Sequence, residues 1–287
     1  MGHVEWKHTP YPGAIELQMR SWGRNEGRPI LIIHGFLEQC AAWDEVAVQL
    51  NRYVISYDQR GHGLSDHTSA DGFYYFFDYI ADLDGIIDTL QQPVDLVGHS
   101  MGGTISCIYA ALRPERVANL VLVEGLGPPD TTANTIRQGQ QFLAHRKKPP
   151  VHTPLQSIQD GVSRMQRLNP ALSTERASKL VSRLSRQSRG DTRTWTWDPR
   201  HRSRSPRPFS TEQFMHYLQH INCPTLAVFG EKSRYHHMVP DLARRLNGLK
   251  ICTRVDIEHA GHHPHHSHPT ELSVLISDFC QEAPHGS

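Results

Sequence analysis

The feature that most constrains this chain is the run GHSMG at residues 98–102, in which a glycine stands two residues before and two residues after Ser100. A short apolar run precedes it at residues 94–97, and a helical pattern follows until Pro114, which cannot continue a helix. A turn this sharp strains the serine, and glycine is needed where a side chain would collide with neighbouring backbone. The sequence therefore predicts that Ser100 projects from a tight strand-to-helix turn.

Apolar runs alternate with helical patterns along most of the chain, as expected of a parallel sheet with crossover helices. The runs cover residues 29–33, 53–57, 94–97, 120–123, 225–229 and 251–257, and the helical patterns cover 42–50, 76–90, 100–112 and 269–279. Polar residues or glycine end most runs, and open α/β sheets carry their sites at that edge. We predict an α/β fold with a mostly parallel central sheet and helices on both faces.

Residues 127–209 break this alternation, because they contain many prolines and no apolar strand run. We predict that they form a helical lid, with helices near 136–145, 154–168 and 175–185, inserted between core segments 1–126 and 210–287. From Arg137 to Arg207 there are 16 Lys or Arg and four Asp or Glu, although the net charge of the chain is only +1. No base-reading motif accompanies this surplus, so we interpret it as a solvated face and expect no nucleic-acid partner.

A serine hydroxyl becomes a good nucleophile only with a base in hydrogen-bonding distance, and His262 is the candidate. It follows Ala260-Gly261 between the apolar run 251–257 and the last helical pattern, where a loop can carry an imidazole over the sheet edge. Sequence distance alone leaves neighbouring histidines open as alternatives, namely His259, His263, His265, His266 and His268. The spacing of this cluster suits zinc or nickel, but no carboxylate or thiolate stands nearby in the sequence, so we predict no metal site.

The imidazole in turn needs a carboxylate that fixes its tautomer and stabilises its protonated form. Glu124 closes the apolar run 120–123, and an ionisable residue at such a position needs a paired role. Glu231 is the alternative, but it stands close to the end of run 225–229, and Ser233 occupies the place where an aspartate is expected. We favour Glu124, and a purely structural salt bridge to the inserted segment remains its other interpretation.

Backbone amides complete the predicted site. One amide stabilises a developing oxyanion incompletely, so the amide of Met101 at the start of a helix needs a second donor. His34-Gly35-Phe36 follows an apolar run, and the glycine allows the Phe36 amide to turn toward Ser100. Candidates for the pocket lining are Trp43, Phe142, Met165 and Trp195.

Five segments together resemble the α/β-hydrolase superfamily in their order and spacing: HGF at 34–36, YDQRGHGLSD at 57–66, GHSMGG at 98–103, LVLVEGLGPP at 120–129 and AGHHPHH at 260–266. The resemblance is closest to single-domain hydrolases with a helical cap, a group of esterases, lactonases and carbon–carbon bond hydrolases. It implies that the acid follows the sixth or seventh strand, which supports Glu124, and that Asp58, Arg60 and His62 form a structural turn.

Serine rather than aspartate at the nucleophile position argues against dehalogenase and epoxide hydrolase activity, and the lack of an HGGG string argues against the lipase branch that uses it. We therefore predict a serine hydrolase that cleaves an ester or related acyl bond of a small molecule, with no cofactor. Hydrolysis of a carbon–carbon bond in a dienoic diketone, a lactonase and a non-catalytic binding protein of the same fold remain alternatives.

The N-terminal residues contain no apolar core of a signal peptide, and no stretch of the sequence approaches 18 uninterrupted apolar residues. The sequence therefore predicts a cytoplasmic protein that does not insert into a membrane, and it says nothing of oligomeric state.

Overall fold

The structure, a computed structural model, describes residues 2–188 and 190–281, so Met1 and residues 282–287 at the ends of the predicted core segments lie outside the described residues. The strands in this part of the chain are β1 His3–His8, β2 Leu17–Trp22, β3 Ile30–Ile33, β4 Val54–Tyr57, β5 Val94–His99, β6 Val117–Val123, β7 Ser185–Gln187, β8 Arg193–Trp195, β9 Thr225–Gly230 and β10 Cys252–Ile257. The α-helices are α1 Asp44–Ala47, α2 Phe76–Leu90, α3 Met101–Leu112, α4 Thr135–Lys147, α5 Ile158–Leu168, α6 Thr174–Leu184, α7 Thr211–His220, α8 Tyr235–Met238, α9 Leu242–Asn247, α10 Pro264–Ser267 and α11 Pro269–Phe279.

Eight of the described strands form one sheet in the order β1-β2-β4-β3-β5-β6-β9-β10. The pairs from β4 to β10 are parallel, and β1 and β2 add an antiparallel edge. The chain runs outward from β3 to β4 and then returns across β3 to begin β5. Because the connections after β3 and β5 leave in opposite directions, a crevice opens between them at the carboxyl ends of the strands.

The central strands are buried on both faces, as their continuous apolar runs predict. Leu31 and Ile33 point to one face of the sheet and Ile30 and Ile32 point to the other, and all four are fully buried. Helices α2, α3, α7 and α9 cover the first face, and α1 and α11 cover the second. The predicted α/β fold is confirmed.

The chain between β6 and α7 contains three helices and a short hairpin. Helices α4, α5 and α6 agree with the three predicted helices within a few residues, and serines cap the amino ends of α5 and α6. The segment also contains a short hairpin that the predicted helices did not include, because β7 and β8, which are not apolar runs, pair antiparallel. Part of its positive charge is neutralised by the core, since Arg176 pairs with Glu45 and Arg183 pairs with Asp44. The lid boundaries at 127 and 209 stay a prediction.

Two elements differ from the sequence prediction in the first core segment. The predicted helix 42–50 is a 3₁₀ turn, Cys40–Trp43, followed by the single α-helical turn α1, which ends at Ala47. The sequence pattern did not indicate β1 and β2, because their role as an antiparallel edge is set by pairing with β4 rather than by a local apolar run. No helix among the described residues combines the length and apolar character that a bilayer crossing requires.

Candidate active site

Ser100 lies at the turn between β5 and α3, at the mouth of the crevice. Its backbone has φ 52° and ψ −112°, a conformation that costs of order 1–3 kcal/mol for a residue with a side chain. A Cβ at Gly98 would lie 2.6 Å from the carbonyl oxygen of Gly102, and one at Gly102 would overlap the carbonyl oxygen of Ile33. Both glycines are therefore required for the close approach of α3 to the sheet, as the sequence predicts.

His262 and Glu124 meet Ser100 from two other strand ends. The Nε2 atom of His262 lies 3.1 Å from Ser100 Oγ, and its Nδ1 atom lies 2.9 Å from Glu124 Oε2. Glu124 follows β6 and is fully buried, whereas the His262 side chain is 30% exposed. The carboxylate also accepts hydrogen bonds from the Gly230 amide and the Ser233 hydroxyl, both at 2.6 Å. These hydrogen bonds stabilise the buried carboxylate and hold it in the orientation that faces the imidazole.

Glu231, the alternative acid, does not join this arrangement. Its side chain is 43% exposed and accepts a hydrogen bond from the His259 amide at 2.9 Å, while Lys232 pairs with it. Ser233 has a role that the sequence did not reveal, because its hydroxyl donates to Glu124. The missing aspartate at position 233 is the one signal that could have indicated this, since a small donor at that place fits a carboxylate supplied from another strand.

The two predicted oxyanion donors are the amides of Phe36, in the loop after β3, and of Met101, directly after Ser100. Met101 is the first residue of α3, so its amide has no acceptor within the helix. The amides on either side of Phe36 are engaged, Gly35 with Glu38 Oε2 at 2.8 Å and Leu37 with His62 Nε2 at 3.2 Å. No group in the described part of the chain accepts from the Phe36 amide itself. The loop after β3 is therefore held on both sides of this amide.

A cavity of about 510 Å³ opens beside Ser100. Apolar side chains from the segment between β6 and α7 form much of its wall, namely Met165, Leu168, Leu172, Leu184, Trp195 and Trp197. Two of the four predicted pocket residues thus line it. The prediction is wrong for Trp43, which is fully buried and stacks on His265, and for Phe142, which packs on Phe73 with ring centroids 5.2 Å apart. Sequence spacing could not separate a pocket aromatic from a packing one.

A larger hollow of about 750 Å³ lies elsewhere, next to Trp22 and Arg52, and contains none of the predicted site residues. We therefore associate the chemistry with the smaller cavity.

The side chain of Asp58, in the turn after β4, makes structural hydrogen bonds. Its two carboxylate oxygens accept from the Cys40 and Leu64 amides, each at 2.8 Å.

The histidine-rich segment after His262 does have a carboxylate partner, which corrects an expectation from the sequence. Glu38 is buried, and its Oε1 atom lies 2.7 Å from His265 Nε2 and 3.0 Å from His266 Nε2. Burial alone raises the pKa of the Glu38 carboxyl, but its contacts with His265 and His99 outweigh this and hold the pKa well below its usual range. Glu38 lies more than 200 residues from this segment, so no local pattern indicated the contact.

The family model for the alpha/beta hydrolase fold matches residues 28–269, and the chain belongs to that family. It is 28% identical to a protein named serine hydrolase-like protein from Danio rerio, over 93% of this chain and 85% of that one. A region covering 40% of the chain is 35% identical to 43% of a 2-hydroxy-6-oxo-2,4-heptadienoate hydrolase from Pseudomonas putida. Among solved structures, a thioesterase domain from the curacin biosynthetic pathway is 30% identical with a TM-score of 0.86, over 96% of this chain and 99% of that chain.

These similarities agree with the arrangement around Ser100. The chain is a serine hydrolase of the α/β-hydrolase family, whereas the bond it cleaves and its substrate do not follow from membership of so broad a family.

Proposed function

We propose that the protein hydrolyses carboxylic esters or thioesters of small molecules that carry an apolar acyl group. The observation that carries the proposal is the chain of contacts from Ser100 Oγ through His262 to Glu124, at 3.1 and 2.9 Å, on the wall of an apolar cavity. A hydroxyl, an imidazole and a carboxylate in this order constitute an activated nucleophile. The similarity to a thioesterase domain supports including thioesters.

In this mechanism Ser100 Oγ attacks the acyl carbon while its proton passes to Nε2 of His262. The carbonyl electron pair moves to oxygen, and Glu124 stabilises the imidazolium through the Nδ1 hydrogen. Collapse of the tetrahedral species expels the alcohol or thiol, which takes the proton from Nε2 and leaves an acyl-serine. Water then attacks with the same base, and the acid is released with Ser100 restored.

The oxyanion in each half-reaction faces the amides of Phe36 and Met101. The first belongs to the braced loop after β3, and the second lies at the amino end of α3, where the helix dipole favours negative charge. Donors of this kind act because they are fixed before charge develops. Loss of one such donor lowers turnover by a hundredfold to a thousandfold in well-studied hydrolases.

The cavity lining favours an apolar acyl group over an anionic one. Arg164 is the lining residue with a permanent positive charge, and its guanidinium already donates to Asp160 at 2.8 and 3.0 Å and to two backbone carbonyls. A carboxylate on the substrate would have to compete with this pairing. The basic surplus of the segment is therefore weak support for an anionic substrate.

A second candidate is hydrolysis of a carbon–carbon bond in a dienoic diketone, favoured by the local similarity to the heptadienoate hydrolase. The same serine, base and acid can perform that reaction. A short-chain chromogenic ester, an acyl thioester and a dienoic diketone assayed in parallel separate the candidates, and we expect turnover of the first two. Turnover of the diketone alone would replace our proposal by the second candidate.

The primary test is fluorophosphonate labelling read by intact mass on the wild type and four variants. We expect one adduct on the wild type, none on Ser100→Ala or His262→Ala, slowed labelling of Glu124→Gln, and wild-type labelling of Glu231→Gln, which serves as the matched control. A folded wild type that takes no adduct would instead support a non-catalytic binding protein of this fold. Adduct formation on Ser100→Ala would refute the assignment of the nucleophile.

The proposal needs no cofactor, because every proton and electron pair is carried by the three side chains, the two amides and water. A small-molecule substrate suits a cavity of about 510 Å³. Location in the cytoplasm and the absence of a nucleic-acid partner stay predictions.

A further inference from the structure

Three loops of the site converge on the buried carboxylate of Glu38. Its Oε2 atom accepts a hydrogen bond from the Gly35 amide at 2.8 Å and lies 3.2 Å from Nδ1 of His99. Its Oε1 atom lies 2.7 Å from Nε2 of His265 and 3.0 Å from Nε2 of His266. Three imidazoles from the end of β5 and from α10 therefore surround one carboxylate.

The tautomer of His99 is fixed by its other ring nitrogen. Nε2 lies 2.8 Å from the carbonyl oxygen of His262, and because a carbonyl oxygen only accepts, Nε2 carries the proton. In the neutral ring Nδ1 is then a lone pair that faces a carboxylate oxygen 3.2 Å away. Two acceptors at this distance repel each other unless a proton on Nδ1, which makes the ring cationic, or a metal ion lies between them.

His266 provides a second, independent observation at the same carboxylate. Its side chain is 4% exposed, and its Nε2 atom has no hydrogen-bond partner in the described part of the chain, although it points at Glu38. A buried ring nitrogen without a partner is costly, and each such case needs a physical reason. Nδ1 of His99 and Nε2 of His266 are therefore two ring nitrogens, turned toward one carboxylate, that neutral side chains leave without a good hydrogen bond in the described part of the chain.

We propose that Glu38, His99, His265 and His266 bind a divalent transition-metal ion of the zinc class. The ligand atoms of Glu38, His99 and His265 lie within 4.8 Å of one another. Bonds of about 2.0–2.2 Å in a tetrahedron separate ligand atoms by roughly 3.4 Å, so these three side chains need to move by about 1 Å or less. His266, whose Nε2 atom lies 3.0 Å from Glu38 Oε1, would supply the fourth ligand. One carboxylate with three imidazoles is a donor set that suits zinc.

The surroundings of two ligands match what a metal site requires. A metal-bound histidine usually donates its other N–H to a carbonyl or carboxylate, and His99 does so to the His262 carbonyl. His265 is held by ring stacking on Trp43, with centroids 4.4 Å apart and planes 3° apart. Its Nδ1 atom has no partner in the described residues and can take the proton that Nε2 gives up on binding the ion.

The ion has a route to these ligands, because Glu38, His99 and His266 also line the cavity beside Ser100. Four protein ligands leave no open position for water or substrate, which is the pattern of a structural site. The ion would join the loop after β3, the end of β5 and α10. It would thereby stabilise the folded state, and this stabilisation would grow with the logarithm of the free ion concentration once that exceeds the dissociation constant.

The test titrates the untagged, chelator-treated full chain with Zn²⁺ by calorimetry and with Co²⁺ by visible absorption. We expect one tight site per chain and the intense absorption of tetrahedral Co²⁺. Glu38→Gln and His266→Asn should each weaken the site at least about a hundredfold and abolish that absorption. His259→Asn is the matched control, because this exposed histidine belongs to the same loop and its side chain contacts none of the four ligands.

Circular dichroism shows whether each variant is folded. If Glu38→Gln does not fold, His266→Asn decides, since it removes a ring nitrogen that makes no hydrogen bond. The proposal is overturned if the wild type binds no Zn²⁺ at micromolar concentration, or if His266→Asn binds it as the wild type does. Because nothing in this test requires turnover, its outcome is independent of the proposed hydrolase activity.

Discussion

Two buried glutamates in this protein face imidazoles, and the comparison of Glu124 with Glu38 shows what gives such a pair its role. Glu124 lies 2.9 Å from His262, and Glu38 lies 3.2 Å from His99. Each carboxylate also accepts a backbone amide, from Gly230 and Gly35 respectively. Judged by these distances and backbone amides alone, the two pairs are similar.

The difference lies at the second ring nitrogen. Nε2 of His262 faces the hydroxyl of Ser100, which can give up a proton, and 30% of the His262 side chain is exposed. Nε2 of His99 faces a carbonyl oxygen, which cannot, and 1% of its side chain is exposed. Only the first pair can pass a proton to and from a substrate. The group that faces the second ring nitrogen therefore decides whether the pair can take part in a reaction or has a structural role.

The largest effect should follow from breaking the first pair at its hydroxyl. Ser100→Ala should lower ester hydrolysis by about ten-thousandfold or more, because the remaining amides and cavity retain only binding and oxyanion stabilisation. Steady-state kinetics measures the loss. Unfolding in urea should show no loss of stability, because the substitution removes a hydroxyl group and no apolar packing. Activity within tenfold of the wild type would contradict the role of this serine.

Removing the charge of the first carboxylate should have the next largest effect. Glu124→Gln should lower kcat by a hundredfold to ten-thousandfold, because the imidazolium loses its counter-charge and its tautomer is no longer fixed. Glu231→Gln provides the control and should change kcat less than about threefold. Equal losses in the two variants would mean that the acid is not Glu124.

Moving the carboxylate should restore part of the activity. Ser233 Oγ lies 2.6 Å from Glu124 Oε2, so an aspartate at 233 brings a carboxylate to the same side of His262. In the Glu124→Gln background, Ser233→Asp should raise kcat at least about tenfold, which corresponds to roughly 1.4 kcal/mol. Ser233→Asn in that background is the control and should give no recovery. Recovery in both would point to a packing effect rather than to charge.

His201 is a buried histidine that contacts neither Glu124 nor Glu38, and it can be compared with His262 and His99. Its burial lowers the pKa to about 3, although the nearby charge of Asp198 opposes this, while His67 and His34 lower it further. Its Nδ1 atom lies 3.1 Å from Tyr79 Oη, and its Nε2 atom lies 3.1 Å from the Gly61 carbonyl oxygen. The ring is therefore neutral in the folded protein and gains a proton on unfolding below pH 6.5.

The last effect we predict follows from this lowered pKa and concerns stability rather than turnover. Stability due to neutral His201 is fully present above pH 6.5 and falls by about 1.4 kcal/mol per pH unit as the pH drops toward the folded-state value near 3. His201→Gln should reduce the pH slope of the free energy of unfolding by that amount between pH 6.5 and 4. Urea titrations at several pH values measure it, and equal slopes for variant and wild type would show that the ring is protonated in the fold.

Structural features that depend on patterns over a few residues were predicted well from the sequence. The glycines around Ser100 and the alternation of apolar runs with helical patterns indicated the turn, the parallel strands and the fold class. Helices α2 and α11 agree with the prediction residue for residue. His262 was favoured because it follows Ala260-Gly261, and the contact with Ser100 agrees with that choice.

Contacts between distant segments were decided only by the tertiary structure. The sequence left Glu124 and Glu231 open, because both follow strands at the site edge, and only the packing of β6 beside β9 brings Glu124 to Ser233. Trp43 and Trp195 looked equivalent as pocket residues, yet one is fully buried and the other lines the cavity.

What the sequence determined by itself is the turn that presents Ser100, the preference for His262 as its partner and the sheet that carries both, because strand and helix periods and glycine requirements act over a few residues. What only the tertiary structure decided is the partner of each imidazole. Glu38 and His265 are 227 residues apart, and no local pattern records that their side chains meet. Side-chain contacts of this range depend on strand order and loop direction, which emerge only when the whole sheet has formed.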